Sequence, residues 1–129
     1  MIVSRTPLRI TLGGGGTDLP SYYEKFGGFI FSFCLSKYMY ICINRPSADN
    51  LIRLKYSKSE TVISVGELNH EIARACLQRV EVDSQIEIAS LSDIPAGSGL
   101  GSSSTYTVGL LNALYSMKFV GAPFTFGFE

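Results

Sequence analysis

An α+β domain, with helices packed on a mixed sheet, is the fold class that this sequence predicts. Runs rich in β-branched and aromatic residues, typical of strands, alternate with stretches whose apolar residues recur at helical spacing. Clusters of Gly, Pro, Asn, Asp and Ser separate these runs and predict turns. The chain of 129 residues is long enough for one domain with a hydrophobic core.

The N-terminal segment predicts a strand followed by a short helix. The strand is expected over 3–12, where Pro7 marks an edge position or an irregularity. Thr17 or Asp18 is expected to cap the helix, which has a proline in its first turn. Gly27 and the glycine after it are expected to end this helix.

The middle of the chain predicts further strands. The apolar, aromatic run over 28–44 indicates one long bent strand or two strands. The most hydrophobic part of this run is shorter than a membrane span. Lys37 interrupts it with a charge that is expected to face solvent. A turn over 45–50 precedes two short runs, over 51–57 and 60–64, which together predict a hairpin.

Two helices and one strand are expected in the remainder. An amphipathic helix is predicted over 67–80, with the only histidine, His70, on its exposed side. Alternating isoleucines predict a strand over 84–92. A mostly apolar helix over 106–117, packed against the sheet, follows the glycine- and serine-rich loop.

Composition favours a protein that is soluble and cytoplasmic. The formal net charge is zero, so the sequence offers no electrostatic argument for binding nucleic acid or a membrane surface. The beginning of the chain lacks the pattern of a signal peptide. Cys34, Cys42 and Cys76 are odd in number and widely spaced, and we expect them to be buried thiols in a reducing compartment.

The segment "IPAGSGLGSSSTY", residues 94–106, is the first candidate site. A bare loop between a strand and a helix directs backbone N–H groups and the positive end of the helix dipole at one point, which suits phosphate. Ser102, Ser103 or Ser104 can cap the helix, donate to phosphate oxygens or offer a hydroxyl to Mg²⁺. The alternative is a glycine-rich turn with an N-cap serine. The candidate residues are Pro95, Gly97, Ser98, Gly99, Leu100, Gly101, Ser102, Ser103 and Ser104.

Two familiar phosphate-binding loops do not fit this segment. The G-x-x-x-x-G-K-[ST] loop needs a lysine, and none lies between Lys58 and Lys118. The dinucleotide fingerprint G-x-G-x-x-G needs a glycine where Ser102 stands. If the loop binds phosphate, it does so in a third way.

The segment "TPLRITLGGGGTDLP", residues 6–20, is the second candidate site. Arg9 is a permanent cation suited to phosphate, and the carboxylate of Asp18 is suited to sugar hydroxyls. Gly15, Gly16 and Thr17 lie between them. The alternative is a surface arginine together with an aspartate that caps a helix.

Together the two segments resemble the motifs of the GHMP kinase superfamily. Its loop motif is a proline followed by G-L-G-S-S, as in Pro95 and residues 99–103, with Ser104 where alanine is common. Its first motif pairs a basic residue with a Thr-Asp, as in Arg9 and Thr17-Asp18. The three glycines before Thr17 are most like those of bacterial D-glycero-D-manno-heptose-7-phosphate kinases.

The resemblance implies an ATP- and Mg²⁺-dependent kinase that phosphorylates a sugar or a sugar phosphate, with a heptose 7-phosphate as the preferred substrate. The loop would bind ATP, and Ser103 would ligate Mg²⁺. Arg9 would act catalytically beside the transferred phosphoryl group. The sugar would be bound by Gly15, Gly16, Thr17 and Asp18. Glycines in place of an acidic side chain would not repel an anionic substrate and would leave room for it.

The resemblance also implies a domain boundary. Residues 1–117 would form an incomplete N-terminal ATP-binding domain, whereas 118–129 would be an atypical tail from a truncation or a frameshift. The family's C-terminal ferredoxin-like domain and its acidic catalytic residue would be missing, so we expect this chain alone to be inactive. The alternatives are a non-catalytic nucleotide- or phosphate-binding module and an inactive remnant.

Overall fold

A computed structural model describes residues 1–95 and 97–119, and the expected α+β architecture is present there. The tail expected over 118–129 lies outside these residues from 120 onward. The elements, in chain order, are β1 (Ile2–Gly13), α1 (Pro20–Phe26), β2 (Phe31–Asn44), β3 (Ile52–Lys55), β4 (Ser59–Val62), α2 (Glu71–Val80), β5 (Ile86–Ser92) and α3 (Ser102–Lys118). Short 3-10 turns at Gly15–Thr17 and Val65–Glu67 complete the set.

The five strands form one mixed sheet in the order β1-β2-β5-β3-β4. Neighbouring strands are antiparallel except β3 and β5, which are parallel. The parallel pair requires a crossover, and β4 and α2 supply the chain between its two strands. The predicted hairpin is confirmed, and the aromatic run forms one long strand, the first of the two alternatives.

The core lies between one face of the sheet and helices α2 and α3. Alternating residues of β2, β3 and β5 point to this face, because side chains alternate along a strand. The fully buried members of the core include Ile41, Ile43, Ile52, Leu54, Leu77, Ile86, Ile88, Leu110 and Leu114. In the described part of the chain, no helix is both long and apolar enough to span a bilayer.

Strand β1 is irregular where Pro7 predicted it to be. Pro7 pairs with Tyr38, whereas Arg9 pairs with Cys34, so β2 contains extra residues between these two pairs. Such a bulge bends a strand and re-aims its side chains and backbone groups. Here the backbone N–H of Arg9 donates to the carbonyl of Leu100, 3.3 Å away, and β1 therefore contacts the glycine-rich loop.

Three details of the sequence prediction are wrong. Neither Thr17 nor Asp18 caps α1, because Leu19 stands at the N-cap position with no side-chain cap. Helix α2 begins at Glu71 rather than at 67, because Val65–Glu67 forms a separate turn. All three cysteines are free thiols, but only Cys76 is buried; Cys34 is exposed and Cys42 is half-buried.

Helix α3 lies directly on β1 and β2 at Gly109. A Cβ at this position would lie 2.8 Å from Thr6 Oγ1 and 3.2 Å from Ile41 Cγ1. The Ser4 hydroxyl donates to the Gly109 carbonyl at 2.7 Å, and both groups are buried. The missing side chain therefore permits the close approach of helix and sheet.

We predict that Gly109→Ala destabilises the fold. At a solvent-exposed helix position this change would stabilise the helix by about 1 kcal/mol. At position 109 the added methyl group must displace its neighbours, and such overpacking costs about 1–3 kcal/mol. Urea denaturation measures the free energy of unfolding. The control is Asn112→Ala on the exposed side of the same helix, where no loss is expected. A Gly109→Ala protein as stable as the control would contradict the close contact.

Candidate functional site

The loop between β5 and α3 is fixed at its beginning by Asp93. The Asp93 carboxylate accepts the N–H of Tyr38 at 2.8 Å, and its own N–H donates to the Tyr38 carbonyl at 3.0 Å. The Ser92 hydroxyl donates to the Ile94 carbonyl at 2.7 Å. These bonds extend the pairing of β2 and β5 into the loop, so the Asp93 carboxylate holds the loop to the sheet.

The first turn of α3 presents uncapped backbone N–H groups. Gly101 is the N-cap residue, with φ at 68° in the left-handed region, and no side chain caps the helix. The Ser104 hydroxyl donates to the Gly101 carbonyl at 2.9 Å and accepts none of the helix amides. Of the three roles considered for these serines, the structure excludes that of the helix cap. The N–H groups of residues 102–104 have no acceptor within the described residues.

Arg9 lies beside this helix terminus. A Cβ on Gly101 would be 3.1 Å from both Cγ and Nε of Arg9, so the side chain packs directly against the N-cap residue. No ion pair neutralises Arg9 among the residues that the structure describes. A cation next to the positive end of a helix dipole is unfavourable unless an anion binds between them. Arg9 and the backbone N–H groups of α3 therefore form a candidate anion site, with donors of the kind that anions favour.

A cavity of about 440 Å³ opens at the candidate anion site. Ser102 and Ser103 line it, together with Tyr56, His70 and Tyr106. None of the described residues that line it is Asp, Glu, Lys or Arg. The cavity therefore suits an uncharged group that is attached to an anion.

The three aromatic residues of the cavity were not found from the sequence. His70 was expected on an exposed face, but it is half-buried and caps α2. Tyr106 is buried, its hydroxyl has no hydrogen-bond partner in the described part of the chain, and burial raises its pKa. Tyr56, His70 and Tyr106 come from separate elements, so only the tertiary fold brings them together.

The hydroxyl of Thr17 fixes the second glycine-rich segment. It donates to the Gly14 carbonyl at 2.7 Å and accepts the N–H of Phe29 at 3.1 Å. Gly14 has φ at 81°, and a Cβ there would lie 1.7 Å from the Phe29 carbonyl oxygen. Thr17 therefore joins the turn after β1 to the chain that leads into β2.

Asp18 lies at a separate hollow, which Thr17, Tyr23 and Gly28 also line. Its carboxylate is exposed and accepts no hydrogen bond from any described residue. No hydrogen bond or ion pair joins Asp18 to Arg9 within the same part of the chain. The structure thus brings Arg9 together with the loop, and places Thr17 and Asp18 at a separate hollow.

Gly15 and Gly16 have open space where a side chain would stand. The nearest neighbour to a Cβ on Gly15 would be Thr11 Cγ2 at 3.5 Å, and a Cβ on Gly16 would meet nothing within 4 Å. Neither residue has the positive φ that favours glycine. Packing and backbone geometry therefore do not require glycine at these two positions.

In the loop between β5 and α3, Pro95, Gly97, Ser98 and Gly99 are exposed.

The family model of the GHMP kinases N terminal domain matches residues 67–125. This range includes α2, β5, the loop and α3. Together with the relatives described next, the match confirms the resemblance that the two motifs indicated. The chain has the fold of the N-terminal domain of the GHMP kinases.

A curated relative is the D-glycero-alpha-D-manno-heptose 7-phosphate kinase of Campylobacter jejuni. It is 31% identical over 125 residues, which cover 87% of this chain and 36% of the relative. The chain therefore spans little more than a third of the length of this relative. A solved D-glycero-D-manno-heptose 1-phosphate kinase from Bacteroides thetaiotaomicron superposes with a TM-score of 0.78 at 26% identity, covering 92% of this chain and 42% of its own.

Other solved structures share the fold. A candidate sugar kinase from Campylobacter jejuni gives a TM-score of 0.71 at 27% identity, over 95% of this chain and 40% of its own. The mevalonate kinase of Methanococcus jannaschii gives 0.69 at 19% identity, over 95% and 42%. The last likeness concerns the fold alone. In every case more than half of the neighbour's chain has no counterpart among these 129 residues.

We predict that Thr17→Val destabilises the chain, whereas Thr17→Ser does not. Valine keeps the shape but removes the hydroxyl that binds Gly14 and Phe29, and such a loss costs about 1–2 kcal/mol. Thermal unfolding of both variants measures the difference. A Thr17→Val protein with wild-type stability would show that the hydroxyl does not hold the turn.

Proposed function

We propose that this chain provides the phosphate-donor half of an ATP-dependent kinase that acts on a sugar or a sugar phosphate. The observation that carries the proposal is the packing of Arg9 against Gly101 at the uncapped end of α3. Two sources of positive charge meet there with no carboxylate between them in the described residues. A chain of phosphates is the ligand that such a site favours.

The cavity beside the loop provides room for the rest of the nucleotide. With the phosphates at the amides of residues 102–104, the cavity begins at the same residues, Ser102 and Ser103. Its lining is apolar, aromatic and hydroxylic, and carries no charge among the described residues. This chemistry supports a nucleoside triphosphate, and the family resemblance favours ATP.

Mg²⁺ is the metal that this site would use. The Ser103 hydroxyl is exposed at the helix terminus and has no protein partner in the described part of the chain. No group of three or more His, Cys, Asp or Glu side chains forms a metal site there. Mg²⁺ fits these facts, because it commonly keeps several waters and takes its other ligands from substrate phosphates and one or two side chains. Bound Mg²⁺ would neutralise phosphate charge.

The acceptor sugar would bind at Asp18. The carboxylate is exposed and free to accept hydrogen bonds from sugar hydroxyls, and Thr17 holds the preceding turn in place. The bare surface at Gly15 and Gly16 leaves room for a substrate. The printed names of the heptose phosphate kinases support a heptose 7-phosphate as the acceptor.

Positioning and charge neutralisation would supply most of the catalysis. Arg9 would lie beside the transferred phosphoryl group and offset the charge that develops on its oxygens. The loop amides would hold the donor in line with the acceptor hydroxyl. The chain spans about two fifths of its structural neighbours, and we propose that residues beyond it supply the acidic catalytic group and complete the sugar site. The chain alone would bind its donor without turnover, and the enzyme would act in the cytoplasm.

A non-catalytic nucleotide-binding module is the second candidate. It is favoured by the absence of any described carboxylate in contact with Arg9 or with the amides of α3. Binding of ATP with no phosphotransfer, even after the rest of a kinase polypeptide is supplied, would support the module. Transfer to a sugar phosphate would exclude it.

We predict that Arg9→Gln weakens the binding of inorganic tripolyphosphate by roughly ten- to hundredfold, since a hydrogen bond to a charged group contributes about 1.5–3 kcal/mol. Titration calorimetry of the chain at low ionic strength measures the dissociation constant. The effect should shrink as salt is added, because salt screens exposed charges.

The matched control is Arg5→Gln on the same strand. Arg5 lies over the ring of Tyr38 at 4.7 Å, and its neighbours Ser4 and Thr6 point to the opposite face, towards α3. This variant removes one positive charge without touching the loop. Equal losses in the two variants would show that net charge, rather than the position of Arg9, determines binding.

A further inference from the structure

A hydrogen bond from its own helix selects one tautomer of the neutral His70 imidazole. Nδ1 accepts the backbone N–H of Ala73 at 3.2 Å, which caps α2. A backbone N–H is only a donor, so Nδ1 carries no proton, and in the neutral ring the proton is on Nε2. Nε2 has no hydrogen-bond partner among the residues that the structure describes. The capped helix thus leaves one N–H donor unused.

Two tyrosines fix the plane of this ring. Tyr56 meets it edge-on, with ring centroids 4.8 Å apart and planes at 87°, and Tyr106 lies against it at 4.9 Å and 32°. Tyr106 is 5% exposed, so the core holds it in place. The Tyr56 hydroxyl donates to Glu60 at 2.8 Å, and Glu60 also accepts the N–H of Asn69 at 2.7 Å. Tyr56 and Tyr106 therefore hold the His70 ring in orientation, and the hydrogen bond from Asn69 to Glu60 fixes the residue that precedes it.

The cavity that His70 lines suits a flat, uncharged ring. Three aromatic side chains and several aliphatic ones line it, together with serine hydroxyls, and no charged side chain takes part among the described residues. The same cavity is lined by Ser102 and Ser103 of the candidate anion site. A planar base with ring acceptors, joined to phosphates, matches this lining.

We propose that His70 is the residue that reads the nucleobase, by donating its Nε2–H to a ring nitrogen of a purine in the cavity. The inference rests on the proposed nucleotide-binding function and extends it to specificity. His70 is a specificity-determining residue that makes no contact with the phosphates. The N-cap bond to Ala73 keeps the donor available, so the start of α2 and recognition of the base depend on the same side chain.

The variant His70→Asn separates these two roles. Asparagine is among the best N-cap residues, so α2 should keep its cap, but the ring and its Nε2–H are lost. We expect ATP to bind roughly three- to tenfold more weakly, the effect of one hydrogen bond, while inorganic tripolyphosphate binds as to the wild type. Thermal unfolding checks that the variant is folded, and His70→Ala, which loses both roles, should melt at a lower temperature.

A spectroscopic measurement does not depend on any variant. His70 is the only histidine of the chain, so its imidazole gives the only histidine signals in an NMR spectrum of ¹⁵N-histidine-labelled protein. We expect the free chain to show the form protonated at Nε2, and we expect the Nε2–H resonance to move on addition of ATP. Tripolyphosphate should leave that resonance in place.

The outcomes distinguish this inference from the function on which it rests. Binding of tripolyphosphate together with equal affinity of wild type and His70→Asn for ATP would overturn the role of His70 but leave the phosphate site standing. An Nε2–H resonance that ATP does not move would do the same. Failure of the wild type to bind either ligand would overturn both proposals.

Discussion

Helix α3 approaches β1 so closely that a Cβ on Gly109 would lie 2.8 Å from Thr6 Oγ1. The buried bond from Ser4 to the Gly109 carbonyl holds the helix in that position, and Thr105 Oγ1 comes within 3.5 Å of the Pro7 carbonyl one turn earlier. These contacts determine the position of the N-terminus of α3. Because β1 continues past Pro7 to Arg9, the same packing of helix on strand brings Arg9 to this terminus.

The electrostatics of the site follow from this packing. A helix terminus without a side-chain cap leaves its amides unsatisfied, and a guanidinium without a carboxylate partner in the described residues adds charge of the same sign. Water can satisfy the amides of an exposed helix terminus, but it does not offset the charge of the guanidinium. The carboxylate of Asp93 accepts the N–H of Tyr38 instead. The proposed anionic ligand would satisfy the amides and offset the charge together.

Much of the fold could be predicted from the sequence, and so could which residues to consider for the candidate site. The hairpin, the helix after the loop and the irregularity at Pro7 follow from local patterns, and Arg9 and the loop were identified by their motifs. The cap of α3 was not predicted, because a serine run suggests a capping side chain whereas the left-handed Gly101 takes the position. The assignment to ATP and to a sugar phosphate came from family resemblance, since no local pattern specifies a base or a sugar.

The cavity could not be predicted from the sequence, for a different reason. Tyr56 follows β3, His70 precedes α2 and Tyr106 lies in α3, and no spacing in the sequence indicates that their rings meet. Periodicity placed His70 on an exposed helix face because the pattern extended the helix by a turn too many. The burial of all three cysteines was likewise an average expectation for their type, and the long strand β2 leaves Cys34 exposed.

The most direct test of the central claim is a backbone-amide NMR titration of this chain with Mg²⁺–ATP. The account predicts saturable shifts that are largest for the amides of Ser102, Ser103 and Ser104 and for the Nε–H of Arg9. Inorganic tripolyphosphate should reproduce these shifts. Absence of saturable shifts at these groups, or shifts concentrated elsewhere in the sheet, would contradict the claim that the terminus of α3 and Arg9 form a phosphate site.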